Sequence, residues 1–164
     1  MSYLVLARKW RPKLFNEVVG QQHVVQALQN SILNKKINQA YIFNGTRGVG
    51  KTSIARILTK VLNCKNPKNG EPCNECDQCL AMNENSLLDF QEIDAASRRS
   101  REETMNLLET VPYLPTSSKY KVYLIDEVHM LTKESFNALL KTLEEPPPHV
   151  CLLYTSPSPR DTRE

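Results

Sequence analysis

The sequence predicts an α/β domain built on a parallel sheet, and three features of the chain support this fold class. Short apolar runs of strand length alternate with segments whose apolar residues recur at helical spacing. A glycine-rich stretch joins the first of these strands to a helix, and an acidic pair closes a later strand. Strands that alternate with helices favour parallel pairing with right-handed crossover connections. The 164 residues, 40% of them hydrophobic, suffice for one core.

The first half of the chain predicts a helix, a strand and a second helix. Residues 21–33 have helical spacing and end in a polar stop, and residues 41–43 form a short apolar strand leading into a glycine turn. Residues 54–62 again repeat with helical spacing. The predicted apolar face of the first helix consists of Val24, Val25, Leu28 and Ile32.

The second half predicts two further strand and helix pairs. Residues 90–93 read as a strand, and Ser100 with Glu103 forms a capping box for a helix that closes before Pro112. Residues 121–125 form a third strand, and Thr132 caps a last helix. This helix ends at Pro146, and its predicted apolar face is Phe136, Leu139, Leu140 and Leu143.

A phosphate-binding loop is predicted between the first strand and the second helix. Residues 45–52 satisfy the eight-position pattern, and the strand before and helix after them disfavour an incidental glycine turn. Glycines let backbone N–H groups and the positive helix end face the phosphates. Lys51 adds charge near the β/γ bridge, which makes it a candidate for catalysis as well, and Thr52 offers a hydroxyl to Mg²⁺. The candidate nucleotide-binding residues here are Gly45, Thr46, Arg47, Gly48, Val49, Gly50, Lys51, Thr52 and Ser53.

An acidic pair, Asp126 and Glu127, follows the strand 121–125. The carboxyl edge of a parallel sheet is where such folds bind ligands. Asp126 is therefore a candidate Mg²⁺ ligand, and Glu127 a candidate catalytic residue that orients and polarises water for attack on the γ-phosphate. A solvated acidic turn is the alternative interpretation. Water as nucleophile favours an ATPase over a kinase.

Four cysteines lie in a polar stretch without apolar periodicity, so residues 64–79 are expected to be a loop ordered by metal. Their spacing matches a closed tetrahedral zinc site with a structural role. An iron–sulfur cluster and unliganded thiols are alternatives, although no proline follows the last cysteine. Local disulfides would require a secreted protein. The candidate ligands are Cys64, Cys73, Cys76 and Cys79.

Charge and hydropathy exclude few functions. A net charge of +3 does not require a polyanionic partner, and every apolar stretch is shorter than the roughly 20 residues of a membrane helix. Because residues 1–11 lack the pattern of a signal peptide, we expect a cytoplasmic protein with no membrane role.

These motifs together resemble the gamma/tau subunits of the bacterial DNA polymerase III clamp loader, which are AAA+ ATPases. The resemblance covers residues 1 to about 150. It rests on the phosphate loop, the four cysteines and the following further segments: residues 6–12, 18–21, 92–97, 122–131 and 135–147.

The resemblance implies a P-loop NTPase fold of the AAA+ type that binds ATP with Mg²⁺ and carries structural Zn²⁺. It implies that hydrolysis drives loading of the sliding clamp onto primer-template DNA, within a pentameric assembly of clamp-loader subunits that belongs to the polymerase III holoenzyme. No polymerase active site is evident. The residues implied on the adenine and ribose side are Ala7, Arg11, Pro12, Val18 and Val19.

The chain departs from this family after residue 150. We expect a truncated AAA+ nucleotide-binding domain over residues 1–150, with the zinc module 64–79 inserted, and an aberrant, disordered tail over residues 151–164. The sensor threonine, the arginine that reaches a neighbour's ATP, the lid and the collar are expected to be missing. The strand 41–43 would then lie at an exposed sheet edge.

Two other functions compete with an ATP-driven one. One is an interaction subunit that does not hydrolyse ATP, and the intact phosphate loop argues against it for the parent protein. For the 164 residues themselves, we expect a nucleotide-binding interaction fragment without useful ATP turnover. The other is a zinc module that binds nucleic acid, which is disfavoured because the cysteine stretch carries more acidic than basic side chains. These are Glu71, Glu75 and Asp77 against Lys65 and Lys68.

Overall fold

The computed structural model describes residues 11–37, 40–44, 50–95, 100–145 and 147–156. The helices and strands follow in the order α1 Gln22–Leu33, β1 Ala40–Asn44, α2 Lys51–Asn63, α3 Asp77–Asn83, β2 Phe90–Asp94, α4 Ser100–Glu109, β3 Lys121–Asp126, α5 Lys133–Glu144 and β4 Val150–Ser156. Short 3-10 helices occupy Phe15–Glu17 and Val128–Met130. The chain divides into a helical unit, Met1–Lys36 with Gly50–Ser86, and a sheet unit, Ile37–Val49 with Leu87–Glu164.

The four strands form one parallel sheet in the order β1-β4-β3-β2. In β3 every residue from Lys121 to Ile125 is buried, as expected for an interior strand covered on both faces. Helix α4 packs on β2 and on α5. The core of the unit lies around β3 and β4 and comprises Ile93, Ala95, Leu108, Val111, Tyr123, Ile125, Val128, Leu139, Val150 and Leu152.

The structure corrects the expectation of an aberrant tail for residues 151–156. Strand β4 pairs with β1 on one side and with β3 on the other, so these residues form an interior strand. Cys151, Leu152 and Leu153 are at most 1% exposed. Their apolar side chains stabilise the strand despite the polar sequence that follows. Strand β1 therefore has β4 as a neighbour on one side, although it remains an edge strand of the described sheet, as expected. Residues 157–164 lie outside the described part of the chain.

The helical unit is built around α2. Every residue of this helix from Ile54 to Asn63 is buried, including the polar Arg56, Thr59 and Lys60. Helices α1 and α3 both pack on it. On α1 the predicted apolar face is confirmed, with Val25 and Leu28 buried and Val24 and Ile32 partly buried.

Three local predictions differ from the structure. The cysteine stretch is not entirely a loop, because α3 begins at Asp77 and includes Cys79. Helix α4 ends at Glu109 rather than just before Pro112. On α5 the cap by Thr132 is confirmed, since its hydroxyl oxygen accepts the Ser135 N–H at 3.1 Å. Two residues of the predicted apolar face of α5 are, however, exposed: Phe136 is 41% and Leu140 42% exposed.

Within the described residues, no helix combines the length and the apolar character that crossing a membrane requires.

Candidate nucleotide site and metal centre

The last residue of the predicted phosphate loop adopts a backbone that favours glycine. Gly50 is the N-cap of α2 with φ +84°, in the left-handed region. Lys51, Thr52 and Ser53 form the first turn of the helix, and Gly50 O accepts the Ile54 N–H at 2.9 Å. The first N–H groups of a helix have no acceptor within it, so this turn can bind an anion. Residues 45–49 lie outside the described part of the chain.

The residues implied on the adenine side differ in their surroundings. Val18 is 6% exposed, and a Cβ placed on Gly50 would lie 3.8 Å from Val18 Cγ1. Val19 is 87% exposed. Arg11 and Pro12 line a small cavity of about 50 Å³ together with Arg56 and Lys60. Val18 is thus the one of these four that packs beside the phosphate-loop residue, and Ala7 lies outside the described residues.

The predicted acidic pair lies at the carboxyl end of β3. Asp126 is the last residue of the strand, and Glu127 follows in the left-handed region with φ 58°. A carboxylate oxygen of Glu127 lies 3.5 Å from His129 Nε2. A left-handed non-glycine residue at a strand end is a strained conformation of the kind that clusters at functional sites.

A second aspartate, Asp94, lies beside Asp126 and was not identified as a site residue from the sequence. Asp94 ends β2 in register with Asp126, and the next residue, Ala95, donates its N–H to Asp126 O at 2.9 Å. The signal was present, because the predicted strand 90–93 is followed directly by an aspartate. What the sequence could not show is that the two strands are neighbours.

The carboxyl end of β4 supplies another position at this sheet edge. Tyr154 is in register with both Ile125 of β3 and Ile42 of β1, and Thr155 is the next residue along β4. A threonine at the end of this strand is what the resemblance implies for a sensor, although the sensor threonine was expected to be missing from this chain. The backbone of the strand is present, and Thr155 stands at this register position.

The four predicted metal ligands converge in the helical unit. All four Sγ atoms lie within 4.8 Å of one another, and the pairs Cys73–Cys79 and Cys64–Cys76 are each separated by 4.0 Å. Four sulfurs at about 2.3 Å from a tetrahedral zinc lie about 3.8 Å apart, so the cluster fits this ion. The thiols are free, and these separations are about twice the S–S bond length of a disulfide. This chain therefore holds a cysteine cluster that can bind a metal.

Backbone N–H groups surround the sulfurs as they would a bound thiolate. Asn66 and Cys73 donate to Cys64 Sγ at 3.4 and 3.3 Å, while Glu75 and Cys76 donate to Cys73 Sγ at 3.3 and 3.2 Å. Burial opposes ionisation of Cys76, yet N–H donors of Lys65 and Cys79 lower its pKa to about 6. Burial raises the pKa of Cys79. Because metal binds thiolates, binding releases protons.

The described strands and helices place the chain in the P-loop AAA+ fold class, with the strand order β1-β4-β3-β2 and a Gly-Lys-Thr helix start after β1. The gamma subunit-related protein of Thermotoga maritima superposes with a TM-score of 0.55 at 17% identity, over 83% of this chain and 40% of that one. A RuvB variant of the same organism superposes with a TM-score of 0.51 at 16% identity, over 91% of this chain and 42% of that one. Over nearly its whole length the chain is also similar in sequence to tau and gamma subunits of DNA polymerase III.

Sequence identity to these subunits extends over nearly the whole chain. It is 55% over 160 residues to subunit tau/gamma of Haemophilus influenzae, covering 98% of this chain and 23% of that protein. Subunit tau of Escherichia coli is 56% identical, over 98% of this chain and 25% of that protein. Subunit tau of Bacillus subtilis is 48% identical, over 97% of this chain and 28% of that protein. A family described as DNA polymerase III, delta subunit, matches residues 20–162, so the chain belongs to this family of DNA polymerase III subunits. The chain spans about a quarter of the length of these relatives.

Proposed function

We propose that this chain binds ATP through the first turn of α2, and that the complete subunit uses ATP hydrolysis to load the sliding clamp onto primer-template DNA. The observation that carries the proposal is the start of α2, where a left-handed Gly50 is followed directly by Lys51 and Thr52. This is the strand, glycine turn and helix context that the phosphate-loop pattern requires. A flexible turn with an incidental lysine would not need to begin a helix there.

The role proposed for Lys51 is to neutralise charge on the β- and γ-phosphates, and that of Gly50 is to let the backbone approach them. Magnesium ligation is proposed for Thr52 and for Asp126. Activation of the attacking water is proposed for Glu127, which follows Asp126 directly at the carboxyl end of β3 and has a left-handed backbone. Bound Mg²⁺ supplies charge stabilisation to the transferring phosphoryl group. A sensor role is proposed for Thr155.

The metal proposed for the cysteine cluster is zinc in a structural role. Four thiolates fill a tetrahedral shell and leave no open position for a substrate or water. The partners proposed are the other clamp-loader subunits, the sliding clamp and, through the assembly, primer-template DNA. The domain division proposed is a nucleotide-binding domain with residues 64–79 as an inserted metal module.

Titration of the metal-loaded chain with ATP and Mg²⁺ by isothermal calorimetry tests the proposal. Lys51→Ala is expected to weaken binding roughly 30-fold or more, since it removes the cation facing the phosphates. Lys133→Ala is the matched control, because Lys133 is the exposed first residue of α5 and follows no glycine turn. Equal affinities for the unaltered chain and Lys51→Ala would refute a phosphate-loop site.

A further inference from the structure

The cysteine loop, residues 64–79, contacts the N-terminal segment through a carboxylate. Glu71 Oε1 accepts the Phe15 N–H at 2.6 Å and Oε2 accepts the Asn16 N–H at 3.0 Å. These two donors belong to the first residues of the 3-10 helix Phe15–Glu17. Glu71, which is 55 and 56 residues away in sequence, therefore caps the first N–H groups of this helix, while Glu17 within the segment accepts the N–H groups of Lys13 and Leu14.

A tight hairpin aims that carboxylate. Lys68 and Glu71 exchange two backbone hydrogen bonds, of 3.0 and 2.9 Å, across the pair Asn69-Gly70. Both central residues have positive φ, 53° and 76°, as a type I′ turn requires. Gly70 O also lies 3.5 Å from Gln29 Nε2 on α1. The backbone position of Glu71 is thus fixed by the fold of the cysteine loop.

A buried lysine adds a second connection between the loop and the same segment. Lys60 is 3% exposed, and its ammonium donates to Lys13 O at 2.8 Å and to the side-chain oxygens of Asn74 and Asn83 at 2.7 and 3.0 Å. Asn74 Nδ2 also approaches Lys13 O at 3.3 Å. The three acceptors match the three N–H donors of an ammonium. Asn74 directly follows Cys73 of the cysteine cluster, so this network is joined to the candidate metal site.

The segment held in this way, residues 13–18, ends near Gly50, the last glycine of the predicted phosphate loop. Phe15 is 1% exposed and Val18 6% exposed, so both are packed in place. Val18 Cγ1 would lie 3.8 Å from a methyl group placed on Gly50, which is ordinary van der Waals contact. Hydrogen bonds therefore lead from Glu71 to Phe15 and from Phe15 O to the Val18 N–H, at 3.1 Å, and Val18 lies near Gly50, the residue that precedes Lys51.

We propose that the cysteine loop positions the nucleotide site, with Glu71 as the positioning residue: metal binding orders the loop, Glu71 fixes the turn at Phe15–Glu17, and Val18 supports Gly50. This inference rests on the proposed ATP site and adds a role for the metal in nucleotide affinity. The loop does not touch ATP in this arrangement. Its effect is to reduce the number of conformations that the segment and Gly50 sample before ATP binds.

Calorimetric titration of the zinc-loaded chain with ATP and Mg²⁺ tests the inference on Glu71 variants. Glu71→Ala is expected to lower the ATP affinity roughly five- to tenfold while zinc remains bound in a one-to-one ratio. Glu71→Gln keeps one acceptor oxygen but no charge, so the ATP affinity of this variant is expected to lie between those of the unaltered chain and Glu71→Ala. Glu75→Ala removes an exposed carboxylate of the same loop and is expected to bind ATP like the unaltered chain.

Removal of the zinc gives a readout that a merely structural role of Glu71 would not produce. If metal and Glu71 act along one path, chelation weakens ATP binding strongly in Glu75→Ala and much less in Glu71→Ala, because their effects are not additive. Additive losses would overturn the proposed path. If Glu71→Ala fails to retain zinc, Glu71→Gln takes its place in this comparison.

The outcomes separate this inference from the proposed function. ATP binding that is lost in Lys51→Ala but unchanged in both Glu71 variants would overturn the positioning role and leave the nucleotide site standing. ATP binding that is absent from the unaltered zinc-loaded chain, or insensitive to Lys51→Ala, would overturn both. A graded loss across Gln and Ala at position 71, with zinc retained, supports both.

Discussion

The interactions that stabilise the cysteine loop differ from those that stabilise the parallel sheet. In the sheet, Ile125 and Leu152 are fully buried among other apolar side chains, which is the usual source of folding free energy. Around the loop, buried positions are taken by polar side chains such as Lys60 and Gln78, and the four thiols converge on one point. We therefore expect the sheet to be stable without a ligand, whereas we expect order in the loop to need a bound metal as well as its polar contacts.

The largest expected difference between the two regions follows removal of the metal. Structural zinc in small domains contributes about 10–16 kcal/mol of apparent binding free energy, so chelation is expected to abolish amide protection across residues 64–79. Amides of β3 are expected to keep theirs. Hydrogen exchange with and without chelator measures both regions in one experiment.

Cysteine substitutions provide the control for this prediction. Cys79→Ala is expected to lose the metal, whereas Cys151→Ala is expected to keep it, because Cys151 lies in β4 of the sheet unit. A cysteine loop that stays equally protected after chelation would contradict a structural metal.

A cavity in the sheet core is expected to have the next largest effect, and to act without any metal dependence. Leu152 is 0% exposed in an interior strand, so Leu152→Ala is expected to reduce the free energy of unfolding by about 2–5 kcal/mol. Leu88→Ala, at a position 67% exposed, is expected to change it by less than about 0.5 kcal/mol. Urea unfolding gives both values, and similar losses for the two variants would mean that β4 is not an interior strand.

The smallest expected effect concerns a carboxylate that orders a loop of the sheet unit, as Glu71 does in the helical unit. Asp89 is 4% exposed and accepts the N–H groups of Thr116, Ser117 and Ser118 at 2.7 to 2.8 Å. Although burial opposes ionisation, these donors hold the pKa of Asp89 below its usual range. Asp89→Asn is therefore expected to lower the free energy of unfolding, measured by urea unfolding at pH 7, by about 1–3 kcal/mol.

The pH dependence of this difference has a definite sign. A depressed pKa in the folded state stabilises the fold above the unfolded-state pKa of about 3.9, and this contribution is lost as the pH falls through the lower folded-state pKa. The difference in unfolding free energy between the unaltered chain and Asp89→Asn should therefore narrow below about pH 4. Glu109→Gln, at an exposed position of α4, is the comparison variant. A gap that widens in acid would contradict the hydrogen-bonded carboxylate.

Local features of the chain determined much of the fold and part of the site. Strand and helix order follows from periodicity, the start of α2 from Gly50 and Lys51, and the cap of α5 from Thr132. The cysteine spacing likewise predicted a cluster that the structure brings together. These signals lie within a few residues of one another, or within one loop, so they can be read without knowledge of partners.

Only the tertiary structure decided which distant elements meet. It placed β4 between β1 and β3 although its sequence runs directly into proline-rich residues, brought Asp94 beside Asp126, and set Glu71 on the amides of Phe15 and Asn16. Periodicity reports which side of an element is apolar, but it carries no information about the element on the other side. Pairing across tens of residues is selected by the burial and the hydrogen bonds that the whole chain can satisfy at once, and that selection exists only in the folded molecule.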